Sequence, residues 1–169
     1  METIELIRSI HANMHRNVDM TMKDMTDELF NWAAPGTANT ISATFLHFVN
    51  VEDNFIHKLI QGKASVWESG NWSQKTGVDK PPSIGEDWTA FKRRKTAIQP
   101  VMDYKAAVWA DTEVYLSGVS EVELDRLVKF AGGDRSVAEM LVLAATQSHS
   151  HAGEIAALKG VQGVKGLPV

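Results

Sequence analysis

Ser136-Val-Ala-Glu-Met140-Leu-Val-Leu-Ala-Ala145-Thr-Gln147-Ser-His149-Ser-His151-Ala-Gly-Glu154-Ile155 is the stretch that decides the fold. It opens with a capping box, in which Ser136 and Glu139 can each accept a backbone N–H of the other. The pattern then runs as one long helix to about Lys159, before Gly160. Its segment Met140-Leu-Val-Leu-Ala-Ala145 is apolar on nearly every side, more surface than one bundle core can bury. The rest of the chain therefore reads as the helices that surround this one, and homodimerisation is expected to cover the excess.

Three further long patterns precede it. From Ile4, apolar residues fall at Ile7, Met14, Val18, Met22, Met25, Leu29 and Trp32, the stripe of an amphipathic helix, with His11 in its gap. Ala33-Ala-Pro35-Gly36 ends that pattern. The second helix starts at Asn39 or Thr40 and runs to Gly62, with Ile41, Phe45, Phe48, Glu52, Phe55 and Leu59 as its core stripe and His47 beside it. The third carries Pro100 in its first turn and buries Val101, Tyr104, Val108, Thr112 and Tyr115 before Gly118.

Residues 62 to 84 hold three glycines, two prolines, Trp67 and Trp72 without a sustained period, which predicts a long loop packed down by its tryptophans. A short helix is predicted from Glu86 to about Ile98, and residues 119 to 135 read as an irregular connector with no strand. The expectation is an all-α, single-domain chain over residues 1–169: a four-helix bundle whose second and third helices are joined by a long crossover.

Composition narrows the function classes. A net charge of −4, with basic residues scattered apart from Lys92-Arg-Arg-Lys95, indicates no broad positive face, so a nucleic-acid partner is not expected. No segment approaches a membrane span and the start, Met1-Glu-Thr-Ile-Glu5, is not a leader, so a cytoplasmic protein without a membrane partner is expected. The absence of cysteine excludes a disulfide framework and a cysteine nucleophile, and any thiol chemistry needs a thiol from outside. Neither a glycine-rich phosphate loop nor a nucleophile elbow is present.

The histidines are the remaining chemistry. Gln147 and His151 lie four apart on one helix face with Glu154 a turn beyond, while His149 points elsewhere along a row of small residues. By spacing alone a lone helical histidine is an ordinary core or surface residue. His11 and His15 are also four apart, a legitimate chelating pair, but no third ligand is visible beside them.

Two segments together resemble the DinB-like superfamily of four-helix bundles, many of whose members are read as metalloenzymes. One runs from Trp32 through Pro35-Gly36-Thr-Ala-Asn-Thr-Ile-Ser42 to His47-Phe-Val-Asn-Val-Glu52. The other is His151-Ala-Gly-Glu-Ile155 with the tail Leu158-Lys-Gly160, Gln162-Gly163 and Gly166-Leu-Pro168. The resemblance implies a divalent metal, commonly zinc or nickel, held by one histidine of the second helix and two positions of the fourth. His47 and His151 match the outer positions, and Gln147 stands where the family has a histidine. Glutamine is a weak ligand beside imidazole. Three states follow: a site completed by Gln147 and water, a site rebuilt with His149 or His15, or a site without metal.

The resemblance implies a metal-dependent thiol S-transferase, isomerase or hydrolase acting on a small molecule, with Glu52 and Glu154 as orienting or proton-transfer partners. The competing readings are a non-catalytic dimeric module and a small-molecule carrier or sensor.

Overall fold

The computed structural model describes residues 2–167; Met1, Pro168 and Val169 lie outside the described residues, and with Pro168 the end of the tail motif. The first stripe folds as α1, Thr3–Met22, burying Ile7, Met14, Val18 and Met22 as the spacing predicts. It does not continue unbroken to Trp32. Asp24 turns the chain at φ +59°, and a short helix α2, Asp27–Phe30, restarts behind Thr26, whose hydroxyl accepts from the Leu29 N–H. The stripe hides this break because Met25 and Trp32 still pack on the same core, although Phe30, not the predicted Leu29, is the buried residue between them. The free carbonyls at the end of α1 are met from the far end of the chain: the Lys159 ammonium donates to Thr21 and Lys23 at 2.8 and 2.9 Å.

Thr40 caps α3, Ile41–Asp53, which continues as a π-helical segment over Asn54–Ile60. All 13 residues of α3 are buried. The predicted stripe faces the core, and the His47 side is covered as well, because residues 61–97 fold back over it. That connection is less irregular than expected. It holds two short helices, α4 (Val66–Ser69) and α5 (Trp72–Thr76), and Trp67 and Trp72 pack on Tyr104 with ring centroids 4.9 and 5.7 Å away.

The helix predicted from Glu86 to Ile98 is reduced to a 3-10 turn, Thr89–Arg93. Here Asp87 accepts from the Thr89 N–H, and the Trp88 indole donates to the Ser83 carbonyl, local bonds that compete with helix formation. The basic run pins this connection, with Lys92 donating to the Gly36 carbonyl and Arg94 to that of Gly77.

Next comes α6, Ile98–Gly118, whose first turn holds Pro100 and whose Ile98 N–H is capped from α2 by the Asp27 carboxylate at 2.8 Å. A short α7, Glu121–Asp125, leads into a two-stranded antiparallel hairpin, β1 (Leu127–Phe130) and β2 (Gly133–Ser136). The sequence predicted no strand here. Ala131 and Gly132 form the turn at φ +50° and +80°, the two positive values that a tight hairpin requires. Then α8, Val137–Val161, opens with the predicted capping box: Ser136 Oγ accepts from the Glu139 N–H, and Glu139 accepts from the Ser136 N–H.

Helix α8 packs between α1 and α3, and α6 closes the ring against both. Cross-helix pairs fix the directions. His11 meets Leu141 and Thr21 meets Lys159, so α1 and α8 are parallel. His47 meets His151 and Thr44 meets Glu154, so α3 opposes α8. Arg8 meets Glu113 and Asp19 meets Lys105, so α6 opposes α1 and runs with α3. Consecutive long helices that run the same way need a crossover, and residues 61–97 supply it, as expected. No described helix is long and apolar enough to cross a membrane.

Asp53 fastens the crossover. Its carboxylate is fully buried and accepts from the Val66 and Trp67 N–H groups at 2.8 and 2.9 Å, the Tyr104 hydroxyl at 2.7 Å and His57 Nδ1 at 2.9 Å. Burial disfavours the charged form of His57, but the hydrogen bonds and charge of Asp53 outweigh it and hold the imidazole above its ordinary value. Asp53→Ala is expected to cost about 3–5 kcal/mol, because four buried donors lose their acceptor. The His57 share has a sign: it is fully present below the ordinary imidazole value of 6.5 and is lost as pH rises through the raised folded value. Urea unfolding of wild type, Asp53→Ala and His57→Gln from pH 5.5 to 9 measures both, and the His57→Gln deficit should shrink as pH rises.

Candidate functional site

The first histidine group joins α3, α8 and the crossover. The His47 and His151 rings meet edge to face, centroids 5.1 Å apart at 89°. His47 Nδ1 lies 2.9 Å from the Pro82 carbonyl oxygen. A carbonyl only accepts, so Nδ1 carries the proton and Nε2 keeps its lone pair. His151 Nδ1 lies 3.0 Å from Glu154 Oε2, and Glu154 Oε1 in turn accepts from the Thr44 hydroxyl at 3.2 Å. The same logic leaves His151 Nε2 free.

Electrostatics support this arrangement. Burial lowers the His47 imidazole below its ordinary value, against the Pro82 hydrogen bond, so it is neutral at pH 7 and able to ligate. The hydrogen bond from His151 holds the Glu154 carboxyl below its ordinary range despite partial burial. Trp88 from the crossover lies over His47 at 4.5 Å, and Phe48 stacks near-parallel with His151 at 6.2 Å.

His47 and His151, predicted from sequence, thus come together, and Glu154 stands on His151 as an orienting partner. Gln147 is half-buried one turn before His151, and His149 is half-buried on another face. Two imidazoles, each with Nδ1 held by an acceptor, are residues that could hold a divalent ion. Pro82 and Trp88 were missed. They belong to a connection without periodicity, and only the crossover's path places them here.

A second group lies in the bundle interior. One ligand atom from each of His11, His15 and Glu52 falls within 4.8 Å of the other two, so this group could hold a metal. His11 Nε2 donates to the Leu141 carbonyl at 3.0 Å, and His15 Nε2 lies 3.1 Å from Glu52 Oε1, which also accepts from the Thr112 hydroxyl at 3.0 Å. Trp109 stacks on His15 at 3.9 Å. Glu52, expected beside His47, therefore belongs to this group instead and is the third candidate ligand that spacing left unseen. The signal was present: His11, Glu52 and Thr112 each occupy a core position of their own stripe.

A cavity of about 740 Å³ opens elsewhere, beside His57, Asp111, Tyr115 and Glu123. Neither histidine group lines it.

The fold is a four-helix bundle, and one group of its side chains, His11, His15 and Glu52, could hold a metal. The family model of the DinB superfamily matches residues 11–155, and the chain belongs to that superfamily. Among solved structures it is similar to a conserved protein from Enterococcus faecalis, with a TM-score of 0.78 and 23% identity over 96% of this chain and 99% of that one. That likeness is one of fold. No curated protein matches the sequence.

The hydrogen bonds set the tautomers of both rings of the first group. Long-range ¹H–¹⁵N correlation at pH 8 on metal-free protein should find the proton on Nδ1 of His47 and of His151. In Glu154→Gln only the His151 pattern should change, and an Nε2–H form of His47 in wild type would contradict the geometry.

Proposed function

We propose that this chain is a metal-dependent enzyme of the thiol S-transferase, isomerase or hydrolase kind, with the ion, zinc or nickel, held by His47 and His151 and completed or flanked by Gln147. The observation that carries this reading is the matched preparation of the two rings, each Nδ1 engaged by an acceptor and each Nε2 free, on opposed helices at 5.1 Å. A bound divalent ion would supply Lewis acidity toward a substrate oxygen or an external low-molecular-weight thiol.

The chain's own residues do the rest. Pro82 and Glu154 fix the tautomers and ring planes, and Thr44 fixes the Glu154 carboxylate. Trp88 covers His47 and limits water on that side. Glu154, half-exposed and hydrogen-bonded to His151, is the proton-transfer candidate at the pair. Because the chain has no cysteine, the thiol comes with the substrate or as a co-substrate.

Metal content by mass spectrometry tests this reading. His151→Ala should lose one equivalent per chain relative to wild type, and Gln147→His should tighten binding roughly tenfold or more, imidazole replacing a carboxamide. Unchanged metal content in both His47→Ala and His151→Ala would sink the assignment.

One observation favours the second reading, a dimeric module. A groove of about 440 Å³ between α1 and α8 is lined by Leu6, Ile10, Val142 and Leu143, and Leu6 and Val142 are 50% and 41% exposed. The apolar excess read from the α8 sequence emerges here, on a face suited to a second copy. Sedimentation should show a dimer at micromolar concentration that Leu6→Lys with Val142→Lys converts to monomer. A wild-type monomer would remove this reading.

A further inference from the structure

We infer that His11, His15 and Glu52 form a second divalent-metal site, in the bundle interior and separate from the His47–His151 pair. The inference goes beyond the proposed function and does not depend on it.

The apolar core is not continuous. One cluster holds Met14, Val18, Phe45, Phe48, Val101 and Val108, and the other holds Ile7, Val51, Phe55, Leu116 and Met140. Between them the helix stripes place His11 on α1, Glu52 on α3 and Thr112 on α6, all at core positions and all buried. Burying such a layer is costly unless every polar atom is matched.

Two atoms of the layer are not matched. Glu52 Oε2 and His11 Nδ1 are buried and have no hydrogen-bond partner, in side chains 0% and 1% exposed. Because His11 donates through Nε2 to Leu141, its Nδ1 bears a lone pair. Both orphaned atoms are therefore acceptors. They belong to the same three-residue group whose ligand atoms converge within 4.8 Å. A cation meets both at once, as an added apolar neighbour does not.

The residue types fit. His11 and His15 are a turn apart on one face of α1, and Glu52 comes from α3, with Thr112 donating to Oε1, Oε2 left unpartnered, and Trp109 fixing the His15 ring plane. A four-coordinate ion with bonds of about 2.1 Å sets its donors roughly 3.4 Å apart, so small side-chain rotations close the set once the Nε2 proton that His15 donates to Glu52 is released to solvent. Two imidazoles and one carboxylate select a first-row ion such as Zn²⁺ or Co²⁺ over Mg²⁺ or Ca²⁺. His15, 18% exposed, provides the entry.

Tryptophan neighbours separate the two sites, since Trp109 stacks on His15 and Trp88 lies over His47. The probe is Co²⁺, titrated into metal-free protein carrying His47→Ala and His151→Ala, with bound equivalents by calorimetry and tryptophan emission read together. One equivalent should bind and quench emission, and Trp109→Phe should remove the quenched component where Trp88→Phe leaves it. Adding His15→Ala, or the isosteric Glu52→Gln, should weaken binding at least roughly tenfold while circular dichroism shows the fold kept.

No Co²⁺ bound by the folded His47→Ala, His151→Ala protein would overturn the inference, and so would binding unaffected by both His15→Ala and Glu52→Gln. The two proposals fail separately: loss of metal with His151→Ala alone leaves only the outer pair, and loss with His15→Ala alone leaves only the interior group.

Discussion

The constraint on which the structure depends is that α3 has no solvent face. A helix buried on every side must match each polar group inside the protein, and α3 carries Thr44, His47, Glu52 and Asp53. Each finds a partner on another element. Thr44 reaches Glu154 on α8, His47 reaches Pro82 in the crossover, Glu52 reaches His15 on α1 and Thr112 on α6, and Asp53 reaches α4 and Tyr104. The polar side chains of one helix thus specify how the other elements sit around it.

The crossover is the clearest consequence. Because α3 and α6 run the same way, the chain must travel the length of the bundle between them, and that path lays Pro82 and Trp88 over His47. Asp53 anchors the start of the path by accepting the first free N–H groups of α4, a carboxylate at a helix N-terminus. Fold and candidate site therefore share a cause. The segment that satisfies topology also holds the proton on His47 Nδ1.

Much of this was legible in the sequence, and the failures have physical reasons. The four long helices were read from their stripes, and the Ser136 capping box marked the start of α8, because both signals are local. The break at Asp24 was not, since Met25 and Trp32 pack on the core beyond the turn and so continue the apolar pattern, with only the shift from Leu29 to Phe30 marking it. The hairpin was missed because Ala131 is an unfavourable residue for positive φ and gives no turn signal. His47 and His151 came from the family resemblance, spacing alone leaving each an ordinary helical histidine. Glu52 shows the limit of pairwise spacing. Its partner His15 is 37 positions away, and only a comparison of where three stripes turn polar would have joined them.

The two histidine groups differ in charge, and that difference divides their chemistry. His47, His151 and Gln147 are neutral donors, so an ion there would keep its full charge and polarise strongly what binds beside it. It would also be held weakly, which is the cost of glutamine in place of imidazole. The interior group includes the carboxylate of Glu52, which burial pushes up but which the hydrogen bonds from His15 and Thr112 help hold below its ordinary value. An ion there would be partly neutralised, roofed by Trp109 and tied to two helices, α1 and α3, with α6 reaching it only through the Thr112 hydrogen bond to Glu52. On the proposed readings the outer position suits a reactive ion and the inner one an ion that locks the bundle, with α3 carrying a ligand to each.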